Sequence, residues 1–152
     1  MANTYTQIFI QIIFSVRNRE PLINEHIRPT LQKYITGIIQ DEGSKVLAIY
    51  SNPVHIHILI SMNPALSLST LVQKIKSHST KFINHNGWMN DKFSWQEGYG
   101  AFSYSKSQVD KVIQYILDQP EHHKKITFKE EYLKFSKEFD VPYNPKYVFL
   151  MA

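Results

Sequence analysis

Short apolar runs alternate along this chain with longer stretches that repeat apolar residues at helical spacing. The first run, over 5–16, is rich in Ile and Phe and predicts a strand. Asn24 can cap a helix that continues to about Asp41, with Pro29 in its first turns, where proline is tolerated. Gly43 ends this helix. The chain therefore opens with a strand followed by an amphipathic helix.

The same pattern predicts further elements up to the middle of the chain. They are strands over 45–50 and 54–62 joined by a tight turn, a helix over 67–85, and short aromatic strands over 93–95 and 99–104. Beyond them, Ser105 or Ser107 caps a helix over 106–118, and Pro120 stops it. A capping box at 127–130 predicts another helix to about Phe139, and an irregular tail follows over 141–152.

The order strand, helix, strand, strand, helix, strand is that of a split β-α-β unit. We therefore expect an α+β fold: a ferredoxin-like (RRM-like) antiparallel sheet with helices on one face, followed by C-terminal helices. We also expect one domain over 1–152, because this length is typical of a single domain. This arrangement would leave the second face of the sheet open.

Two histidines flank one aliphatic residue in the third predicted strand, at His55-Ile56-His57. Because side chains alternate between the two faces of a strand, both imidazoles project from the same face. Ile56 and its neighbours at 58 and 60 face the other way, so we expect the histidines on the open face of a central strand. Such a pair is half of a divalent-metal site. The alternative is a pair of half-buried histidines with ordinary hydrogen bonds.

Composition excludes only a few classes of site and of protein. The 152 residues include no cysteine, which excludes disulfides and thiolate metal sites. The net charge of +4 permits nucleic-acid binding without requiring it. The first residues lack the pattern of a signal peptide, and no apolar run is long enough to cross a membrane. We therefore expect a cytoplasmic protein.

The predicted helix over 106–118 leads to a second group of candidate site residues, a nucleophile and a metal ligand. Tyr115 and Gln119 lie about 40° apart on its surface, on one flank of the apolar stripe. A phenol is a competent nucleophile for phosphoryl transfer, and an amide oxygen is a hard metal ligand. A divalent ion held by His55, His57 and Gln119 would polarise a phosphate for attack by Tyr115. Tyr115 could instead be a packing residue, and Tyr99 and Tyr104 are rival nucleophiles.

In this order, several segments of the chain resemble the single-tyrosine HUH transposases of the insertion sequence 200/605 family. The resemblance extends from about Phe9 to about Tyr132. The segments that carry it are 14–19 (FSVRNR), 55–57 (HIH), 71–79 (LVQKIKSHS), 95–100 (WQEGYG) and 115–123 (YILDQPEHH). One position departs from the family: Val54 stands where an aspartate is common, which could weaken the support of a bound metal.

The resemblance implies a function and a set of roles. Tyr115 would be the nucleophile, and His55, His57 and Gln119 the ligands of Mg²⁺ or Mn²⁺. The family nicks and rejoins single-stranded DNA at mobile-element ends through a 5′-phosphotyrosine, and it recognises DNA hairpins. The resemblance also implies a homodimer in which the tyrosine helix can complete the partner's site. It further implies a cytoplasmic protein that joins the nucleoid when it binds DNA.

Basic side chains provide candidate DNA contacts. They are Arg17 and Arg19 after the first strand, and Lys74, Lys76 and Lys81 on the second helix. The alternative for the lysines is a solvated helix face. Two other functions stay open: a catalytically idle DNA- or RNA-hairpin-binding module, and a replication initiator or relaxase nuclease with the same chemistry.

Overall fold

A computed structural model describes residues 4–122 of the chain, with side chains up to residue 120. Its strands are β1 (Phe9–Ser15), β2 (Lys45–Ser51), β3 (His55–Ser61) and β4 (Gly100–Tyr104). Its α-helices are α1 (Arg28–Asp41), α2 (Leu68–His85), α3 (Val109–Leu117) and α4 (Gln119–His122). The predicted helix over 127–139 and the tail over 141–152 lie outside the described residues.

The four strands form one antiparallel sheet in the order β2-β3-β1-β4. This is the strand order of a ferredoxin-like split β-α-β fold, so the predicted fold class is confirmed. The histidine-bearing strand β3 lies in the centre, hydrogen-bonded to β1 on one side and to β2 on the other. A central strand is held by two ladders, and the side chains on it are correspondingly well fixed.

The face of the sheet that α1 and α2 cover contains the larger hydrophobic core. From β3 it receives Ile56, Ile58 and Ile60, all fully buried. From the two helices it receives a larger apolar set, which includes Leu31, Ile35, Ile39, Leu71 and Ile75. The i, i+4 spacing of these helical residues places them on one side of each helix. The isoleucines of β3 therefore face this core, as their alternation with the histidines predicted.

The opposite face is not open, and this expectation was wrong. Helix α3 packs on it through Val109, Val112 and Ile116, which meet Leu59 and Phe9 of the sheet. The helix has a strong apolar stripe, and burial of that stripe against the second face removes it from water. Leu117, although apolar, is 52% exposed and lies outside the contact.

Local signals set most element ends where they were predicted. The Ser67 side chain accepts a hydrogen bond from the Thr70 N–H and caps α2. Gly43, at φ 85°, follows the end of α1 in a conformation that favours glycine. The predicted strand over 93–95 is wrong, since only an isolated bridge joins Trp95 to Val16 there. Phe93 and Trp95 instead bury their rings against the core.

Within residues 4–122, none of the helices is both long enough and apolar enough to cross a lipid bilayer.

Candidate metal centre

The two histidines of β3 converge at their ring tips. The Nε2 atoms of His55 and His57 lie 3.1 Å apart. Both side chains are buried, with 1% and 0% exposure, because α3 covers this face of the sheet. The predicted shared face is therefore correct, but the imidazoles lie beneath a helix instead of on an open surface.

Gln11 of β1 holds the ring of His57 in one orientation. Its Oε1 accepts a hydrogen bond from Nδ1 of His57 at 2.8 Å, and its Nε2 donates to the Tyr104 hydroxyl at 2.7 Å. Gln11 is fully buried on the same face as the histidines. In this orientation of the Gln11 amide, Nδ1 of His57 carries the ring proton and Nε2 the lone pair. That lone pair is directed at His55.

Asn52, in the turn between β2 and β3, contacts the ring of His55. Its Oδ1 accepts hydrogen bonds from the backbone N–H groups of Val54 and His55, both at 2.8 Å. These two donors fix which end of the amide is oxygen, so the other end is the Nδ2 amine, 3.3 Å from His55 Nε2. Since an amide nitrogen only donates, the contact favours a lone pair on His55 Nε2 as well.

In the tautomers that these contacts favour, the two Nε2 lone pairs face each other, an arrangement that a cation between them would stabilise. Metal–nitrogen distances of about 2.1 Å place neighbouring ligands of one ion roughly 3 Å apart, close to the observed separation. Ser15, paired with His55 across β1 and β3, adds a buried hydroxyl that has no hydrogen-bond partner among the described residues. The donor set therefore fits a divalent cation.

The two histidines do not make a complete ligand set. No group of three or more His, Cys, Asp or Glu side chains close enough to hold a metal occurs among residues 4–122. The remaining ligands of an ion at this place would have to be neutral oxygens or oxygens of a bound substrate. Such oxygens suit Mg²⁺ and Mn²⁺.

Helix α3 brings Tyr115 to the histidines of its own chain. The ring centroids of Tyr115 and His57 are 6.2 Å apart, at an interplanar angle of 72°. Tyr115 is half-buried beside the small apolar cluster that joins α3 to the sheet. The packing of α3 on this face is thus what places a phenol next to the imidazole pair.

Gln119 lies one turn beyond Tyr115, but on a new helix. α3 ends at Leu117, and Gln119 is the first residue of α4. Its side chain is fully buried, and its Nε2 donates to the Tyr115 carbonyl oxygen at 3.3 Å. The predicted helix over 106–118 is therefore correct in its α-helical part, while its first turn, Lys106–Gln108, is a 3-10 helix and Gln119 begins the next segment.

The predicted DNA-contacting lysines on α2 have different surroundings. Lys74 forms an ion pair with Glu42, whereas Lys81 is exposed. The Lys76 ammonium donates to the Gln96 and Gly98 carbonyl oxygens. Burial lowers the pKa of Lys76 from 10.5 to about 8, partly opposed by the charge of Glu97. Lys76 is thus already engaged by the backbone.

Lys76 and Lys81 line a groove of about 980 Å³ between α2 and the segment over 92–99. Arg17 and Arg19 are exposed in a single 3-10 turn after β1. Their roles in DNA binding stay predictions.

Gln11 and Asn52 were not predicted as site residues. Gln11 was visible as the one polar position inside the apolar run 9–14, and Asn52 as the polar member of an Asn-Pro turn. Neither pattern says which side chain it contacts, since Gln11 and His57 are 46 positions apart.

The family model described as "Transposase IS200 like" matches residues 4–119 of the chain. The chain belongs to this family. The match contains both histidines, Tyr115 and Gln119, and it confirms the resemblance on which the sequence-based roles depend. An IS200-like transposase is a DNA-cleaving and strand-transferring enzyme, so the general function also follows.

Two solved structures resemble this IS200-like transposase in fold. A candidate transposase of Deinococcus radiodurans R1 is 17% identical, with a TM-score of 0.60 over 77% of this chain and 94% of that one. A REP-associated tyrosine transposase bound to a REP hairpin is 18% identical, with a TM-score of 0.60 over 82% of this chain and 73% of that one. No curated protein sequence matches the chain significantly.

Proposed function

We propose that this IS200-like transposase nicks and rejoins single-stranded DNA through a 5′-phosphotyrosine on Tyr115, with a divalent cation held at His55 and His57. One observation carries the proposal. The Nε2 atoms of His55 and His57 meet at 3.1 Å, and the Tyr115 ring centroid lies 6.2 Å from that of His57. Two structural histidines joined by an N–H···N hydrogen bond would also converge, but the contacts of Gln11 and Asn52 favour a lone pair on each of the two converging atoms.

His55 and His57 would bind the ion, and the Gln119 side-chain oxygen is the proposed third protein ligand. Mg²⁺ or Mn²⁺ at this place would act as a Lewis acid on a phosphate oxygen. Gln11 keeps the His57 ring in the tautomer that has its lone pair at Nε2. The cover formed by α3 limits the access of water, which strengthens each electrostatic interaction beneath it.

In the cleavage step, the Tyr115 phenolic oxygen forms a bond to phosphorus and the bond from phosphorus to the 3′ oxygen breaks. The phenol loses its proton and the departing oxygen gains one, so that a 3′-hydroxyl is released. The new phosphotyrosine is still a diester, and attack by a 3′-hydroxyl reverses the step without an external energy source. Tyr115 therefore serves both nicking and joining.

We propose a hairpin-bearing DNA single strand as the substrate. The REP-associated tyrosine transposase that shares this fold is bound to a REP hairpin, and the net charge of +4 is compatible with a nucleic-acid partner. We also propose a homodimer, which the family resemblance implies. We propose further that Tyr115 acts in cis, which is supported by the 6.2 Å between its ring centroid and that of His57 in the same chain.

The test compares two tyrosines on the same face of the sheet. Protein is incubated with Mn²⁺ and a pool of single-stranded hairpin oligonucleotides with randomised flanks, and covalent adducts are located by denaturing electrophoresis and mass spectrometry. Tyr115→Phe should abolish the adduct and leave hairpin binding unchanged. Tyr50→Phe is the matched control, because Tyr50 lies opposite His57 on the same face of the sheet and is given no role in the site, so it should keep the adduct.

An adduct that persists in Tyr115→Phe at the normal rate would refute the assigned nucleophile. Hairpin binding by the unaltered protein without any cleavage in Mg²⁺ or Mn²⁺ would instead identify the idle binding module.

A further inference from the structure

Asn52 occupies an unusual position among the residues near the two histidines. Its Oδ1 is held by two backbone N–H groups, of Val54 and His55, so the side chain cannot rotate without breaking both hydrogen bonds. The Nδ2 amine is thereby directed at His55 Nε2, 3.3 Å away. Pro53 and Val54, the next residues of the turn, have apolar side chains. Asn52 is the polar side chain that this turn presents to the imidazole pair.

The contact between Asn52 and His55 cannot persist unchanged when the histidines bind a cation. The lone pair on His55 Nε2 can either accept from the amide or bind a metal ion, but not both. Once the lone pair is used, the fixed Nδ2 amine needs another acceptor beside the cation. The groups that approach a bound cation are oxygens, and in a DNA-cleaving site the anionic ones belong to phosphate.

We propose that Asn52 is a substrate-binding residue whose side-chain amine donates a hydrogen bond to a non-bridging oxygen of the scissile phosphate. This inference rests on the proposed function. The backbone holds the amide in place before substrate arrives, so no side-chain order is lost at binding. The hydrogen bond runs from a neutral donor to an anion, a class that contributes more than neutral pairs do.

Two substitutions remove the amine while keeping an acceptor for the turn. Asn52→Ser is neutral, and a serine hydroxyl can accept from the same turn N–H groups. Asn52→Asp keeps both oxygen contacts but replaces the amine by a second, anionic oxygen. Melting temperatures of both variants establish that the turn is retained. All DNA measurements use the Tyr115→Phe background, so that binding is measured without cleavage.

The first readout is Mn²⁺ binding by calorimetry in the absence of DNA. The second is the gain in affinity for the randomised single-stranded hairpin pool when Mn²⁺ is added. Asn52→Ser should not weaken Mn²⁺ binding, since it removes a donor that competes for the His55 Nε2 lone pair. It should reduce the Mn²⁺-dependent gain roughly 10- to 100-fold, as expected for a lost hydrogen bond to a charged group. Asn52→Asp should bind Mn²⁺ more tightly and lose at least as much of the gain, because its carboxylate repels phosphate.

Asn24 offers a matched control within the same chain. Its Oδ1 also accepts from the backbone N–H groups two and three positions onward, at His26 and Ile27, but ahead of α1. Asn24→Ser should leave both readouts unchanged.

A full Mn²⁺-dependent gain in Asn52→Ser would overturn the inference and leave Asn52 as a turn residue only. The failure of the proposed function looks different: the Tyr115→Phe protein with Asn52 intact would neither bind Mn²⁺ nor gain DNA affinity from it, and both proposals would then fall together.

Discussion

The two faces of β3 are equally buried and chemically opposite. Toward α1 and α2, the strand presents Ile56 and Ile58, whose apolar side chains pack in the hydrophobic core and need no hydrogen-bond partners. Toward α3, it presents His55 and His57, whose ring nitrogens need polar partners. Burial is therefore no guide to which face is structural. The distinguishing feature is that the α3 face contains polar groups, and polar groups lower stability when they are buried without partners.

On the α3 face, these partners form one connected chain of polar contacts. It extends from Tyr104 on β4 through Gln11 on β1 to His57, and from His55 to Asn52 in the turn. This row of polar contacts thus crosses the sheet perpendicular to its strands. One side of β3 stabilises the domain, while the other side orients side chains for chemistry, and each substitution should affect mainly one of these properties.

The largest expected effect is on the aliphatic face. Ile58→Ala should lower the free energy of unfolding by about 2–5 kcal/mol, because it removes buried methylenes and leaves a cavity. The folded fraction should still bind Mn²⁺ with unchanged affinity. Urea denaturation and calorimetry on the same sample measure the two quantities. A large loss of Mn²⁺ affinity in folded protein would show that the two faces are not separable.

The next effect is on the polar face. Gln11→Leu should weaken Mn²⁺ binding by roughly 10- to 100-fold, the usual consequence of removing the partner that orients a ligating histidine. Gln11→Glu is the control, since its carboxylate can still accept from Nδ1 of His57. Equal Mn²⁺ affinity in Gln11→Leu and the unaltered protein would contradict the orienting role of Gln11.

The smallest expected effect is a pH dependence of stability that comes from the Lys76 ammonium group, beside the aliphatic face. Lys76 lies over the Phe14 ring, and burial lowers its pKa to about 8. The unfolded chain binds this proton more tightly than the folded one, so stability should increase as the pH rises from about 8 toward 10.5. After solvent screening the gain is on the order of 1 kcal/mol.

The comparison of urea stability between Lys76→Met and the unaltered protein isolates this contribution. The difference between the two proteins should change across this pH range, in favour of the unaltered protein at the higher pH. A constant difference would mean that Lys76 does not titrate there.

Much of the fold could be predicted because its signals are local. The period of two in β3 separates His55 and His57 from Ile56, and the caps at Ser67 and Gly43 mark helix ends. The order of elements then selects the sheet topology. The aromatic segment around Trp95 was misassigned because its composition is that of a strand, while its rings are used for core packing.

The contacts of the site could not be predicted in the same way. An amphipathic stripe on α3 shows that the helix packs on something, but not on which surface. The pairing of Gln11 with His57 depends on the register between β1 and β3, and a shift of one residue would turn Gln11 to the other face. The turn at Asn52 was visible, whereas the direction of its amine is a property of the folded backbone.

The convergence of the imidazole tips has a further consequence for the protein in the cell. A cation that occupies this place binds the native state alone, because the unfolded chain does not hold two ring nitrogens together. At 100 times its dissociation constant such an ion would add about 2.7 kcal/mol to the free energy of unfolding. Binding of the proposed cation would thus also protect the protein from proteases, which cleave the unfolded chain.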